Sequence, residues 1–420
     1  MPVTDLELGR RLKAAREASG LTQEEVAQKL GVSRPTVTQM ELGNRPVTSI
    51  ELERLAFLYG RDIREFVADE FEREDALAAL FRVQPDMAQQ ESIVSSLRSC
   101  LALAREVTNL EALLELHRDT VAAVSYAVAL PSSRWEAIQQ GERAAEQERR
   151  RLGLGWAPVP SLAEILETQA VRTGVVDLPP EVSGLTINHP SVGIFIVVNK
   201  RHAPVRRRFS LAHEYAHVLF DRRLKGIVTR TQDRNELIEV RANSFAAAFL
   251  MPEDGVRHFV EFLGKGRASR SMAQVFDEES FVLAEGRMPP GSQDLQLYDV
   301  AHLAHYFGVS RMTALFRLRN LRLITKAEFE SLRLVEEQGV GREMARLLAL
   351  PDVEDGEDGV GFRHRVLNLG LEAFRRELIT LAKLRELAHI LSMSEPEVEA
   401  LLERACHGDE GDKEVWTPEG

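Results

Sequence analysis

The sequence predicts a mainly α, multidomain chain. An all-α helix-turn-helix unit stands at the amino terminus, a central α+β domain holds a small sheet, and a helical extension follows. Three observations predict this. Two short capped helical runs flank Gly31; an amphipathic stretch carrying His213-Glu214-Tyr215-Ala216-His217 is answered by a second helical run from Asn235 to Phe249; and helical spacing returns from Leu303 onward. With 420 residues the chain has room for about three domains with real cores. The expected bounds are 1–70 for the helix-turn-helix, 71–140 for a helical connector, 141–295 for the α+β domain, 296–408 for the helical region and 409–420 for a disordered tail.

In the first unit, Thr22 and Ser33 are N-caps, Pro35 is tolerated in a first turn, and Gly31 suits the bend. Val26, Ala27, Leu30, Val32, Val37 and Met40 form the packed side. The other side shows Arg34, Thr36, Thr38 and Gln39, types that read base edges in a major groove, arginine suiting guanine and glutamine adenine. The segment resembles the phage-repressor-like (XRE) DNA-binding domain, together with the Leu12–Arg16 helix before it and the Leu52–Tyr59 helix after it. That resemblance implies double-stranded operator DNA as partner, contacts from Gln23, Arg34, Thr36 and Gln39, and a homodimer. Residues 1–60 hold eight Lys/Arg against eight Asp/Glu, so non-specific affinity is expected to be weak and salt-sensitive. A helix-turn-helix kept only for protein contact is the alternative.

Asp69 to Glu146 reads as helical, with Leu97, Leu101, Ala104, Val107, Leu110, Leu113 and Leu114 at helical spacing. It carries no identifiable chemistry and is expected to connect, although a dimerisation helix or a sensing insert would look the same.

The central motif carries the chemistry. On a helix His213 and His217 share one face and can close on a single Zn²⁺, which in a catalytic site takes three protein ligands and keeps one open position. The third ligand must come from elsewhere. The run from Asn235 ends before Pro252, and Ile238, Ala242, Phe245, Ala246 and Phe249 give it a buried stripe. Alanines 242, 246 and 247 leave room for a close helix–helix approach. Glu239 lies on or beside the stripe, where a carboxylate is costly without a partner. A metal is that partner, Asn243 can orient a ligand, and Glu236 is the rival one turn earlier. Glu214 then lies off the metal as the base that takes a proton from water. Tyr215, His202 and His258 stand open as oxyanion donors. The bland alternative makes the histidines ordinary helix residues and Glu239 a solvated charge.

Arg207 to His217, with Glu239 to Pro252, resembles the ImmA/IrrE family of bacterial and phage metallopeptidases. Its pattern is r-F-t-L-A-H-E-l-g-H followed by E-x-x-A-N-x-F-A-a-x-L-L-m-P. The likeness extends through Leu154-Gly155, the Pro160–Glu167 helix, Gly184-Leu185 and the strand-like Gly193–Asn199, covering about residues 140–325. Tyr215-Ala216 and Phe249 depart from the pattern without touching a ligand. The resemblance implies a zincin-like fold, zinc on His213, His217 and Glu239, Glu214 as catalytic glutamate, and cleavage of a repressor-like regulator in stress or mobile-element control.

Leu303 to Arg311 repeats the shape of Val26 to Arg34, and Leu387 to Ser394 does so again. The third copy puts Glu395, Glu397 and Glu399 where phosphate would repel them; the second offers Arg311, Arg317 and Arg319. Lys200, Arg201, Arg206, Arg207 and Arg208 form a basic cluster that guides substrate or DNA, or is a solvated strand edge. Asp352–Asp358 reads as an acidic loop.

Net charge is −12, with two cysteines, Cys100 and Cys406, at no metal spacing. No run is apolar enough to span a membrane and Met1–Asp5 is no leader, so a cytoplasmic chain is expected. Three functions follow: a DNA-binding regulator whose zinc endopeptidase cleaves a regulatory protein, a transcription factor whose peptidase-like domain only senses, or a chain that cleaves itself near residues 60–150.

Overall fold

In the computed structural model, the described residues are 3–19, 21–59, 61, 63–67, 91–116, 124–189, 192–222, 226–265, 270–277, 280–287, 293–350, 360–391 and 393–406. The connector residues 68–90, the Asp352–Asp358 stretch and the tail after Cys406 lie outside them.

The amino-terminal unit comprises α1 (Asp5–Ala18), α2 (Gln23–Leu30), α3 (Arg34–Glu41), α4 (Ser49–Tyr59) and the short α5 (Ile63–Val67). Thr22 caps α2 through a capping box with Glu25, Ser33 caps α3, and Gly31 takes φ 71° between them. Leu12, Val26, Val37, Met40, Leu55 and Tyr59 fill its core. Buried beside them, Arg16 Nε donates to Glu41 Oε1 at 2.6 Å, tying α1 to α3.

The sheet of the central domain has the order β1 (Val171–Val176), β3 (Gly193–Asn199), β2 (Val182–His189), β4 (Gly226–Arg230), with β1–β3 parallel and the other pairs antiparallel. Successive side chains on β3 alternate between its faces. Ile196 and Val198 join one core with α9 (Pro204–Phe220), while Phe195 and Val197 join another with α6 (Glu91–Leu113). Two further helices, α7 (Arg134–Arg151) and α10 (Leu237–Leu250), cross closely: a Cβ on Gly141 would sit 2.4 Å from Arg241 O. Chain order between them is completed by α8 (Leu162–Thr168) and, after α10, by α11 (Glu253–Phe262) and the antiparallel hairpin β5 (Arg270–Asp277)–β6 (Ser280–Arg287).

Among the described residues between the two motifs, helicity is narrower than the spacing predicts. The helix stops at Leu113, and residues 124–131 carry no regular structure. That strip lies along the central domain instead, where Tyr126 N donates to Leu219 O at 2.8 Å.

The carboxy-terminal helices split between the two cores. Helices α12 (Leu297–Phe307), α13 (Arg311–Asn320) and α14 (Lys326–Glu337) join the α9 side through Val300, Phe307, Leu315 and Phe329. Beyond α15 (Val340–Leu347), α16 (Val360–Arg375) and α17 (Leu381–Ile390) cover the α6 side through Val366, Leu369 and Leu387, followed by α18 (Glu395–Cys406). Glu111 on α6 binds the layers: it accepts from Arg172 Nη2 of β1 at 2.9 Å and from Arg365 Nη2 of α16 at 2.8 Å.

Candidate metal centre

Helix α9 runs across the sheet with twelve of its residues buried, from Arg207 to Leu219 apart from Phe209, so its histidines and Glu214 are placed inside the domain. Helix α10 brings Glu239 to them. His213 Nε2 lies 3.1 Å from Glu239 Oε2, His217 Nε2 lies 3.3 Å from Glu239 Oε1, and the two Nε2 atoms are 3.2 Å apart. Ligands bound tetrahedrally at about 2.0–2.1 Å stand about 3.3 Å from one another, so this spacing fits Zn²⁺. Two facing Nε2 atoms and a carboxylate, all three buried, are a donor set that a divalent cation would satisfy. Glu236 is exposed at the N-cap of α10 and takes no part.

The other ring nitrogens are held from behind. Asn243 Oδ1 lies 3.1 Å from His213 Nδ1, and Asp221 Oδ2 lies 2.9 Å from His217 Nδ1. A proton kept on each Nδ1 leaves Nε2 with its lone pair toward the centre. Arg241 completes the support: its Nη2 donates to Asp221 Oδ1 at 2.6 Å, and its guanidinium lies 4.4 Å from the Phe220 ring centroid. Asp221, Arg241 and Thr186 are residues that sequence reasoning missed. Asp221 carries a signal, since it follows His217 by four on the same helix.

Electrostatics follow from burial. Desolvation pushes the Glu214 carboxyl above the carboxylate range, against the two histidines, which act to lower it. Thr186 Oγ1 donates to its Oε2 at 2.7 Å. Thr229 acts on the same carboxyl from β4, yet neither its Oγ1 nor Glu214 Oε1 closes a hydrogen bond, which leaves Oε1 able to take a proton. Gly184 makes the room: a Cβ there would lie 3.0 Å from Oε1 and 2.9 Å from Val197 O. For His217, burial opposes the charged ring, but the bonds to Asp221 and Glu239 win and carry it up to about 10. Glu239 is correspondingly drawn down to about 2 by the same two histidines, although burial acts the other way.

The open oxyanion candidates are all engaged away from the cluster. Tyr215 donates its hydroxyl to the buried Glu148, His202 Nε2 lies 3.2 Å from Pro180 O, and the His258 ring packs 4.6 Å from that of Trp156. The basic cluster is likewise structural in part. Arg207 donates to Lys200 O and His202 O, Arg208 to Val159 O and Pro160 O, and Arg201 pairs with Asp177. In the second echo of the helix-turn-helix, Gly308 takes φ 64° and Ser310 caps α13. Of its arginines Arg317 turns inward, donating to Met251 O and Glu142, while the half-buried Arg311 pairs with Glu336 and the exposed Arg319 lies over the Phe329 ring.

On the amino-terminal unit, Arg34 and Gln39 are exposed and Thr36 half-buried on α3. Gln39 Oε1 accepts from Asn44 Nδ2 at 3.0 Å, and Thr36 shares a hydrogen bond with Ser33. Gln23, at the start of α2, donates to Glu41 Oε2 at 2.8 Å and accepts from Thr38 Oγ1 at 3.1 Å, so it is fixed to α3.

Two segments match families of known proteins. Residues 172–278 match the IrrE N-terminal-like domain of peptidase family M78, and residues 7–67 match a helix-turn-helix domain. The propionyl-CoA carboxylase regulator of Cereibacter sphaeroides is 26% identical over 271 residues, an alignment covering 58% of this chain and 57% of that protein. The chain thus spans just over half the length of this relative. No described helix is long and apolar enough to cross a membrane.

Proposed function

We propose, for a chain that joins a helix-turn-helix domain to an IrrE-like peptidase domain, a DNA-binding transcriptional regulator whose central domain is a zinc endopeptidase acting on a regulatory protein such as a repressor. The observation that carries it is the convergence of His213, His217 and Glu239, with separations of 3.1–3.3 Å, beside a buried Glu214 whose Oε1 has no hydrogen bond. Zn²⁺ bound there would polarise a peptide carbonyl and bring a water's pKa down toward neutrality. Glu214 accepts the water's proton at Oε1 and passes it to the leaving amine, while Thr186 holds Oε2 in place. Asn243 and Asp221 fix the ligand tautomers. Arg34, Thr36 and Gln39 read an operator, Gln23 braces the reading helix, and a homodimer doubles the contact, as expected of a neutral domain. Functional boundaries near residues 70, 140 and 295 belong to this reading.

A second reading has its own observation. His213, Glu214, His217 and Glu239 are only 3%, 0%, 1% and 3% exposed. A centre so covered suits a regulator whose peptidase-like domain holds metal without hydrolysis, or acts, on a partner or on itself, only after opening. The relative named as a regulator is in line with control of transcription, and makes a propionyl-CoA carboxylase promoter the first operator region to test.

The deciding experiment measures zinc per chain and cleavage of a candidate repressor by wild type and Glu214→Gln. Stoichiometric zinc in both proteins with cleavage by wild type alone supports the peptidase. Zinc in both with cleavage by neither supports the sensor, and equal cleavage by both removes Glu214 from the chemistry.

A further inference from the structure

Outside the metal centre, a row of rings gathers where the loop after α7 meets α11 and α12. The Trp156 ring lies 4.6 Å from that of His258, and the Phe259 ring lies 5.0 Å from that of Tyr306. His258 and Phe262 stand one turn apart on α11, so Phe262 continues the row. Trp156 is 46% exposed, Phe262 81% and Tyr306 40%. Large rings contribute most when they are buried, so a group of them left at the surface marks a face made to be covered. The row is also held in place. Buried Arg149 donates to Gly155 O at 2.9 Å and to Ala157 O, gripping the loop on both sides of Trp156, and to Phe249 O at the end of α10. Gly255 lets the loop lie directly on α11: a Cβ there would sit 2.4 Å from Trp156 O. Burying a guanidinium is costly, and this one serves carbonyls that fix an exposed tryptophan.

Charge decides what would cover the rings. Asp254 precedes His258 by four residues and Glu261 follows it by three, so both carboxylates border the row on the same face of α11. Both are exposed, and no described residue pairs with either. Arg257, the cation of this helix, is already paired with Glu253 at 2.7 Å. Just past α11 the chain fills a similar place itself: Lys265 Nζ lies 2.7 Å from Asp299 Oδ2 and 5.2 Å from the Tyr298 ring centroid. A cation over a ring and beside a carboxylate is favoured by both. Trp156, His258 and Phe262 next to Asp254 and Glu261 offer the same chemistry, and among the described residues no cation occupies it. We propose that this face docks a cationic segment of another protein, in which an arginine or lysine next to an apolar side chain lies over Trp156 and Phe262 and pairs with Asp254 or Glu261. The same carboxylates would repel nucleic acid. Under the peptidase reading above, the segment would belong to the protein that is cleaved, because a repressor meets DNA phosphates with a basic surface. That assignment rests on the peptidase reading. Docking does not.

The test is fluorescence anisotropy of the full chain with a labelled peptide of alternating arginine and leucine as probe, and its glutamine–leucine counterpart as control. Saturable binding of the arginine peptide alone is expected. Phe262→Ala and Trp156→Ala should each weaken it several-fold, and Glu261→Lys roughly tenfold. Glu399→Lys, the same charge change at an exposed position on α18, should leave affinity within about twofold, since solvent and salt screen a charge outside the face. Phe262 and Glu261 are exposed, so their substitutions spare the fold, which circular dichroism checks. Absence of saturable binding up to about 1 mM overturns the proposal. So does binding unchanged in both Phe262→Ala and Glu261→Lys, which would place the peptide elsewhere. Equal binding of the glutamine peptide, or equal weakening by Glu399→Lys, also overturns it, the latter by making attraction a property of the net charge of −12. A concentration-dependent dimer in sedimentation that Phe262→Ala dissolves would give the face to a second copy of the chain and overturn the assignment to another protein. None of these measurements reads cleavage, so they stand or fall apart from the peptidase. Slower cleavage of a protein substrate by Phe262→Ala at unchanged zinc content reads the link to the peptidase alone.

Discussion

Asp221 holds His217 by its Nδ1, with Oδ2 2.9 Å away, while the other carboxylate oxygen takes Arg241 at 2.6 Å. Asp221 closes α9, whereas Arg241 stands two residues after Glu239 on α10, so one carboxylate couples the helices that carry the three candidate metal ligands. Outer partners of this kind are worth about 10–100-fold in metal affinity. Asp221→Ala should therefore weaken zinc binding by about that factor in competition with a chromophoric chelator. Asp221→Asn should recover part of it, because an amide oxygen can still accept from Nδ1–H.

Metal binding should release a proton. In the metal-free chain His217 is held up to about 10 by Asp221 and Glu239, despite its burial, so near neutral pH the ring is charged and the cation must displace its proton. Zinc affinity should rise with pH across the neutral range. Calorimetry in buffers of different ionisation enthalpy should show proton release close to one per zinc; a heat independent of the buffer would contradict it.

Gly184→Ala separates the proposed base from the proposed ligands. The added Cβ would lie 3.0 Å from Glu214 Oε1 and 2.9 Å from Val197 O, and the carboxylate is the group more able to move. Zinc content is expected to survive while any peptidase activity falls, as for Glu214→Gln. Glu236→Ala, at an exposed N-cap, should leave both unchanged.

Glu148 ties α7 to α9. It accepts from Tyr126 at 2.8 Å, from Tyr215, and from Arg151 Nη2 at 2.6 Å. Burial raises its pKa, but Arg151 and the two tyrosines outweigh this and hold the carboxyl below its ordinary value. A depressed carboxylate stabilises the fold above its unfolded value of about 4.3, and that contribution is lost as pH falls through the lower folded value. Removing one member of a buried charge network typically costs about 3–5 kcal/mol. Glu148→Gln should lower the denaturation midpoint at neutral pH, and the gap to wild type should narrow below about pH 4.

On α3 the test is specificity. Arg34→Ala and Gln39→Ala remove exposed groups, so stability should hold while operator affinity drops by about 1–3 kcal/mol for each lost bidentate base contact. Gln23→Ala should act more mildly, through the positioning of α3, since its amide is bound to Glu41 and Thr38.

Local rules are what the sequence by itself determined. Thr22, Gly31 and Ser33 specify the helix-turn-helix because caps and a left-handed turn act within a few residues. The spacing of His213 and His217 puts both on one helical face for the same reason, and the buried stripe around Ala242 marked Glu239 over Glu236. Tertiary structure decided what crosses the chain. Arg172 and Arg365 meet on Glu111 from segments 61 and 254 residues away, so α6 covers the sheet's second face beside α16. Nothing in the helical spacing of Leu97 to Leu110 could tell a connector from that cover, because amphipathicity specifies that a face is buried and not against what. The inward turn of Arg317 and the brace of Asp221 by Arg241 share this origin. Each depends on distances between elements, which side-chain packing sets and sequence periodicity does not encode.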